Sequence, residues 1–89
     1  MDIDGLLLKV EEKYIKQPHS TIDGLKIEFD KEWVHLRKSN TEPIIRIYSE
    51  GNSETVADNL ANKIITDIKE ILNLKDWLLI WASIIQEYL

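Results

Sequence analysis

The apolar positions change period several times along the chain, and each change marks an element. Leu6, Leu7, Val10, Tyr14 and Ile15 recur at helical spacing among Lys9, Glu11, Glu12 and Lys13, so an amphipathic helix is predicted over Ile3 to Lys16, closed by Pro18. Gln17 to Thr21 has turn composition, and Thr21-Ile22-Asp23-Gly24 reads as a short extended piece broken by its glycine. Leu25, Ile27 and Phe29 then alternate with Lys26, Glu28 and Asp30, the period of a half-buried strand. Asp30-Lys31-Glu32 turns the chain into a second strand, Trp33 to Lys38, with Val34 and Leu36 on one face and Trp33, His35 and Arg37 on the other. A third strand is predicted over Ile44 to Ser49, where Ile45 and Ile47 take one side and Ile44, Arg46 and Tyr48 the other.

Glu50-Gly51-Asn52 is a further turn, after which Ser53 can cap a long helix and Glu54 sits favourably against its dipole. Val56, Ala57, Leu60, Ala61, Ile64, Ile68, Ile71 and Leu72 form the apolar stripe of that helix, and Asn73 stops it. The order helix, strands, helix implies an α+β fold: a small antiparallel sheet of three to four strands with both helices packed on one face and the other face partly open. Past the stop, Lys75 to Leu89 is predicted as an extra apolar C-terminal helix. Such a helix would be about 20 Å long, short of a bilayer core of roughly 30 Å, so a membrane span is disfavoured. Its apolar surface must pack on the domain or drive self-association, with Trp77, Trp81, Ile84, Ile85 and Tyr88 as the contacting residues.

Composition narrows the function classes. A chain of 89 residues has room for one modest core. Without cysteine there are no disulfides, thiolate metal sites or cysteine nucleophiles, which suits a reducing compartment. The N-terminus opens on Asp2 and Asp4, and its Leu6 to Leu8 run is cut by Lys9, unlike a secretion signal; a cytoplasmic location is expected. A formal charge of −5 disfavours nucleic acid, whose backbone rewards clustered Lys and Arg. A small anion needs only local positive charge.

That charge is found in Arg37-Lys38-Ser39-Asn40-Thr41-Glu42-Pro43, where Glu42 is the only acid between Arg37 and Arg46. Arg37 can fork two N–H groups onto phosphate oxygens, and the Ser39 and Thr41 hydroxyls, the Asn40 amide and the loop backbone can add donors. Lys38 and Arg46 are secondary candidates. By composition alone a loop of this kind is ordinarily a solvated turn. His35 shares the Arg37 face but reads as a sheet-surface residue without a catalytic role. Trp33 and Tyr48 could stack on a sugar, although packing against a helix is the commoner use of a Trp. Glu28, Asp30, Glu32 and Asp23 read as a wet face rather than a metal site, and His19 carries no signal.

The run Arg37 to Pro43, followed by Ile44-Ile45-Arg46-Ile47-Tyr48-Ser49-Glu50, resembles the R-x-S-(N/G)-T-E-P signature of the α-D-phosphohexomutases and its following strand. Asp23-Gly24-Leu25-Lys26-Ile27 resembles the D-G-(V/L)-K-(I/V) run that leads into the same strand pair in the C-terminal domain of phosphomannomutases and phosphoglucomutases. The resemblance extends from the first helix to about Leu72. It implies a phosphohexomutase C-terminal domain over residues 1–74, an atypical apolar extension over 75–89, and a phosphate-binding loop in which Arg37, Ser39, Asn40 and Thr41 grip the non-reacting phosphate of a hexose phosphate. It also implies that the remaining mutase domains are partners, and that an active-site phosphoserine and a Mg²⁺ loop are supplied elsewhere. Neither a T-A-S-H-N-P type serine loop nor a D-G-D-G-D-R run occurs in this sequence, so the chain is expected to be non-catalytic by itself, with no cofactor of its own. An alternative reading makes it an interaction or engineered scaffold protein that works through the Trp-rich C-terminal helix.

Overall fold

The computed structural model describes residues 2–39, 44–80 and 84–88. Its elements run α1 (Ile3–Lys13), β1 (His19–Ser20), β2 (Leu25–Glu28), β3 (Trp33–Lys38), β4 (Ile45–Glu50), α2 (Glu54–Ile71), α3 (Leu74–Ile80) and β5 (Ile84–Tyr88). The sheet order is β1-β2-β3-β4-β5; the first four strands are antiparallel neighbours, and β5 joins β4 in parallel.

Strand alternation decides the layers. Leu25, Ile27, Val34, Leu36, Ile45 and Ile47 all point to one face, where they are buried against Ile3, Leu6 and Val10 of α1 and Leu60, Ala61, Ile64 and Ile68 of α2. Helices therefore cover one face of the sheet, as the two hydrophobic periods require. The caps are local: Asp2 accepts the Gly5 N–H at 2.9 Å and Ser53 accepts the Val56 N–H at 3.2 Å. Asn73 both follows α2 and caps α3, accepting the Asp76 N–H at 2.9 Å. Ser49, fully buried at the end of β4, donates its hydroxyl to the Ala57 carbonyl at 2.9 Å, which ties the sheet to the first turn of α2.

Three local expectations are corrected. First, α1 ends at Lys13 rather than Lys16, because Tyr14 closes it with bonds to the Val10 and Glu11 carbonyls and turns inward; Ile15, placed on the helical stripe by spacing, is exposed. Second, the extended piece ahead of β2 is His19–Ser20, not Thr21–Gly24, whose last three residues form a bend instead. The Pro18 carbonyl accepts the Glu28 N–H at 2.8 Å, so a residue without an N–H enters an edge strand through its acceptor alone. The His19 ring nitrogens meet the Gln17 carbonyl and the Glu11 carboxylate.

The third correction concerns the tail. Where the sequence predicts a single helix over 75–89, the described residues form a helix at Leu74–Ile80 and a strand at Ile84–Tyr88. Without β5, β4 would offer an open row of backbone donors and acceptors, and a β-branched pair such as Ile84-Ile85 favours extended pairing over helix. The crossover through α2 and α3 gives the span that a parallel connection needs. Trp77 packs against the core of its own chain, with the Lys69 ammonium 5.9 Å from its ring centre. Trp81 lies outside the described residues, and Ile84, Ile85 and Tyr88 enter only as β5 register partners of Ile45, Arg46 and Ser49. Among the described residues no helix is long and apolar enough to cross a membrane.

Candidate functional site

The sheet face away from the helices carries the polar residues of the strands, and the register sets them in rows. Glu28 lies opposite Trp33 and Trp33 opposite Glu50; Lys26, His35 and Tyr48 form the next row; Arg37 and Arg46 are direct cross-strand partners. Trp33 donates its indole N–H to the Glu50 carboxylate at 2.8 Å, and the Lys26 ammonium lies 4.8 Å from its ring centre. The indole is thus engaged on the open face rather than against a helix. His35 and Tyr48 sit 6.3 Å apart between ring centres.

Arg37 stands at the end of this face, where β3 runs into the polar loop. At the base of the loop the Ser39 N–H donates to the Ile44 carbonyl at 3.2 Å, which closes the two strands and commits that amide. Asn40 and Thr41, with Glu42 and Pro43, lie outside the described residues. The Arg37 side chain is 46% exposed, open to an anion, and its Nη2 lies 3.2 Å from the Asp23 carboxylate. Like charges directly opposed on adjacent strands are unfavourable. The register nevertheless sets Arg37 and Arg46 side by side in a chain of net charge −5. Lys38, one residue on, is turned to the helix side, and its ammonium pairs with Asp4 of α1 at 3.0 Å. The structure brings Arg37 and Arg46 together and sends Lys38 elsewhere.

A second wall comes from the segment before β2. Gly24 has φ 71°, the left-handed region, and a Cβ there would overlap the Leu36 carbonyl oxygen and lie 3.2 Å from the Arg37 Cα. This close approach needs glycine. It presses the Asp23–Gly24 bend against the strand that bears Arg37, and His35 fixes it further by donating its Nε2–H to the Asp23 carbonyl. Among the described residues no group of three or more His, Cys, Asp or Glu could hold a metal ion.

Sequence reading passed over Asp67. It is buried within α2, accepts the Tyr14 hydroxyl, and pairs with the Lys13 ammonium at 2.6 Å, with Glu70 at 3.4 Å from the same ammonium. The signal was present: Asp67 falls on the apolar stripe, three positions after Ile64 and four before Ile71. Burial, and secondarily Asp67, push the Tyr14 phenol well above its ordinary 10.0, and the hydrogen bond to Asp67 raises Lys13 above 10.5. This network joins α1 to α2 behind the sheet, away from Arg37.

Residues 4–67 match the C-terminal domain of phosphoglucomutase/phosphomannomutase, a stretch that takes in α1, the four antiparallel strands, the polar loop and most of α2. The chain belongs to this family of phosphohexomutase C-terminal domains. Among its relatives, the phosphoglucosamine/phosphogalactosamine mutase of Sulfurisphaera tokodaii is 43% identical over 67 residues, covering 67% of this chain and 15% of the relative. The phosphoglucomutase/phosphomannomutase of Thermococcus kodakarensis is 48% identical over 58 residues, 63% of this chain and 13% of the relative. The phosphoglucosamine mutase of Methanococcus aeolicus is 40% identical over 55 residues, 62% of this chain and 12% of the relative. The match to this mutase domain ends at Asp67, so α3 and β5 lie beyond it.

Proposed function

We propose that this domain grips the non-reacting phosphate of a hexose phosphate, through Arg37 and the loop that follows it, and takes no part in bond making or breaking. The observation that carries this reading is the cross-strand pair Arg37 and Arg46 on the open sheet face, flanking in sequence a run rich in hydroxyl and amide side chains. Two guanidinium groups on neighbouring strands offer several N–H donors to one phosphate. Ser39, Asn40 and Thr41 supply the remaining donors in this reading, with Arg46 as a supporting charge. The names of the relatives differ in the sugar, glucosamine, galactosamine, glucose or mannose, and share the phosphate. A loop that reads the phosphate alone suits all of them.

Phosphoryl transfer depends on positioning and charge stabilisation, so a remote phosphate held firmly supplies orienting energy to the reacting end. The chain spans only 12–15% of the length of the relatives described above, which supports assigning the chemistry, including its phosphoserine and Mg²⁺, to further mutase domains as partners. With few contacts to offset lost ligand freedom, the isolated domain should bind with a dissociation constant of roughly millimolar order. The test is an amide chemical-shift titration with glucose 1-phosphate or mannose 1-phosphate. Shifts centred on Arg37 and Ser39 are expected, abolished by Arg37→Ala and weakened by Arg37→Lys, which keeps the charge but loses the planar fork. Absence of movement at these amides at high millimolar ligand would refute the assignment. The scaffold alternative is less well supported, because Trp77 packs within its own chain; a dimer that dissociates on dilution would favour it.

A further inference from the structure

We propose that Asp23 is the resident counter-ion of Arg37 and competes with an incoming phosphate for its guanidinium. The inference rests on the phosphate-site reading above and deepens it. Asp23 Oδ2 lies 3.2 Å from Arg37 Nη2, and Asp23 precedes β2, the neighbour of β3 on the side opposite β4 and Arg46. Its side chain is 64% exposed, so the carboxylate can swing into water without opening the core. The backbone beneath it cannot follow. The Asp23 carbonyl is held by His35, and Gly24 is wedged in its left-handed conformation against Leu36 and Arg37. A fixed main chain with a free carboxylate is the arrangement of an exchangeable ligand. It also gives a role to the Asp23-Gly24 pair that strand formation alone leaves unexplained: glycine brings the backbone close, and the acid before it faces the cation.

The consequence is a competition that every anion meets at Arg37. In the empty site Asp23 partly neutralises Arg37. A monoanion offers Arg37 little that Asp23 does not, whereas a phosphate dianion brings a second charge and more acceptor oxygens. Asp23 thus lowers the affinity for every anion by a common factor, and a phosphate dianion has the intrinsic affinity to meet that cost. Release is eased by the same exchange.

The experiment compares the full chain with Asp23→Asn, Asp23→Glu and Asp23→Ser in amide titrations with glucose 1-phosphate and with acetate, following Arg37, Ser39 and the Arg37 Nε–Hε resonance. Asp23→Asn should tighten glucose 1-phosphate about fivefold, the factor equivalent to ~1 kcal/mol, and acetate by a similar factor. Asp23→Glu should restore weaker, wild-type binding and the wild-type Nε–Hε position. The serine variant, which keeps a short polar side chain before Gly24, repeats the test should the asparagine variant fold poorly. Unchanged or weaker binding in the neutral variants would overturn the proposal, because Asp23 would then be a bystander or a positioning residue. Should the wild-type chain bind no glucose 1-phosphate, the phosphate-site reading itself fails and takes this inference with it, an outcome distinct from equal binding by wild type and variant.

Discussion

Replacing Gly24 by alanine tests how far a single backbone conformation supports both the sheet and the site. At φ 71° an L-residue meets a left-handed penalty of about 1–2 kcal/mol. The new methyl would overlap the Leu36 carbonyl oxygen and sit 3.2 Å from the Leu36 carbonyl carbon and the Arg37 Cα, all main-chain atoms in the middle of the sheet. No side chain can give way, so the start of β2 must shift against β3, an overpacking cost of about 1–3 kcal/mol. Reduced freedom of the unfolded chain returns roughly 0.4–1 kcal/mol, leaving a net loss of about 2–4 kcal/mol. For a domain of 89 residues the whole stability is on the order of 4–13 kcal/mol, and a loss of this size lowers Tm by roughly 10–25 °C. The assay is urea and thermal unfolding followed by circular dichroism, with Gly51→Ala as control. At Gly51 the added Cβ would meet the Val56 Cγ1 at 2.7 Å, a side-chain atom, and φ is not in the left-handed region. That variant carries no left-handed penalty and presses mainly on a side chain, so it should lose less stability than Gly24→Ala. A Gly24→Ala chain as stable as the Gly51→Ala chain would refute the reasoning, and the Asp23–Arg37 contact would then need another explanation.

Further predictions concern the rest of the molecule. Tyr14→Phe removes the hydroxyl that Asp67 accepts while keeping the ring, which stacks edge-on against Phe29 at 5.9 Å; urea unfolding should show a loss of about 1.5–3 kcal/mol, and a neutral result would mean that the bond adds nothing. Tyr14 and Lys13 both hold their protons more tightly folded than unfolded. Their contribution is therefore complete below about pH 10 and lost as pH rises from the ordinary values of 10.0 and 10.5 through the raised ones. Stability profiles from pH 8 to 12 should fall in that window and fall less for Tyr14→Phe. Truncation after Asn73 removes β5 and should expose the β4 edge, giving concentration-dependent association in sedimentation experiments; a truncated chain that stays monomeric at all concentrations would show that β4 needs no cover.

Periodicity carried most of the architecture because the two periods, helical and alternating, each assign a face without reference to any other element. The α+β layering, the burial of Leu25, Ile27, Val34, Leu36, Ile45 and Ile47 on one side, the Ser53 cap and the open face with Trp33, His35 and Arg37 all follow from spacing alone. The polar loop and the family were legible for a different reason: their residues are contiguous. What tertiary structure decided are relations between distant positions. Asp67 meets Tyr14 only because α1 and α2 pack side by side; Arg46 faces Arg37 only through the β3–β4 register; Asp23 reaches Arg37 because a glycine lets one backbone press on another. The tail shows the limit most directly. An apolar run reads equally as helix or strand by local preference, and the open edge of β4, a property of the assembled sheet and of no single segment, drew Ile84–Tyr88 into extended pairing.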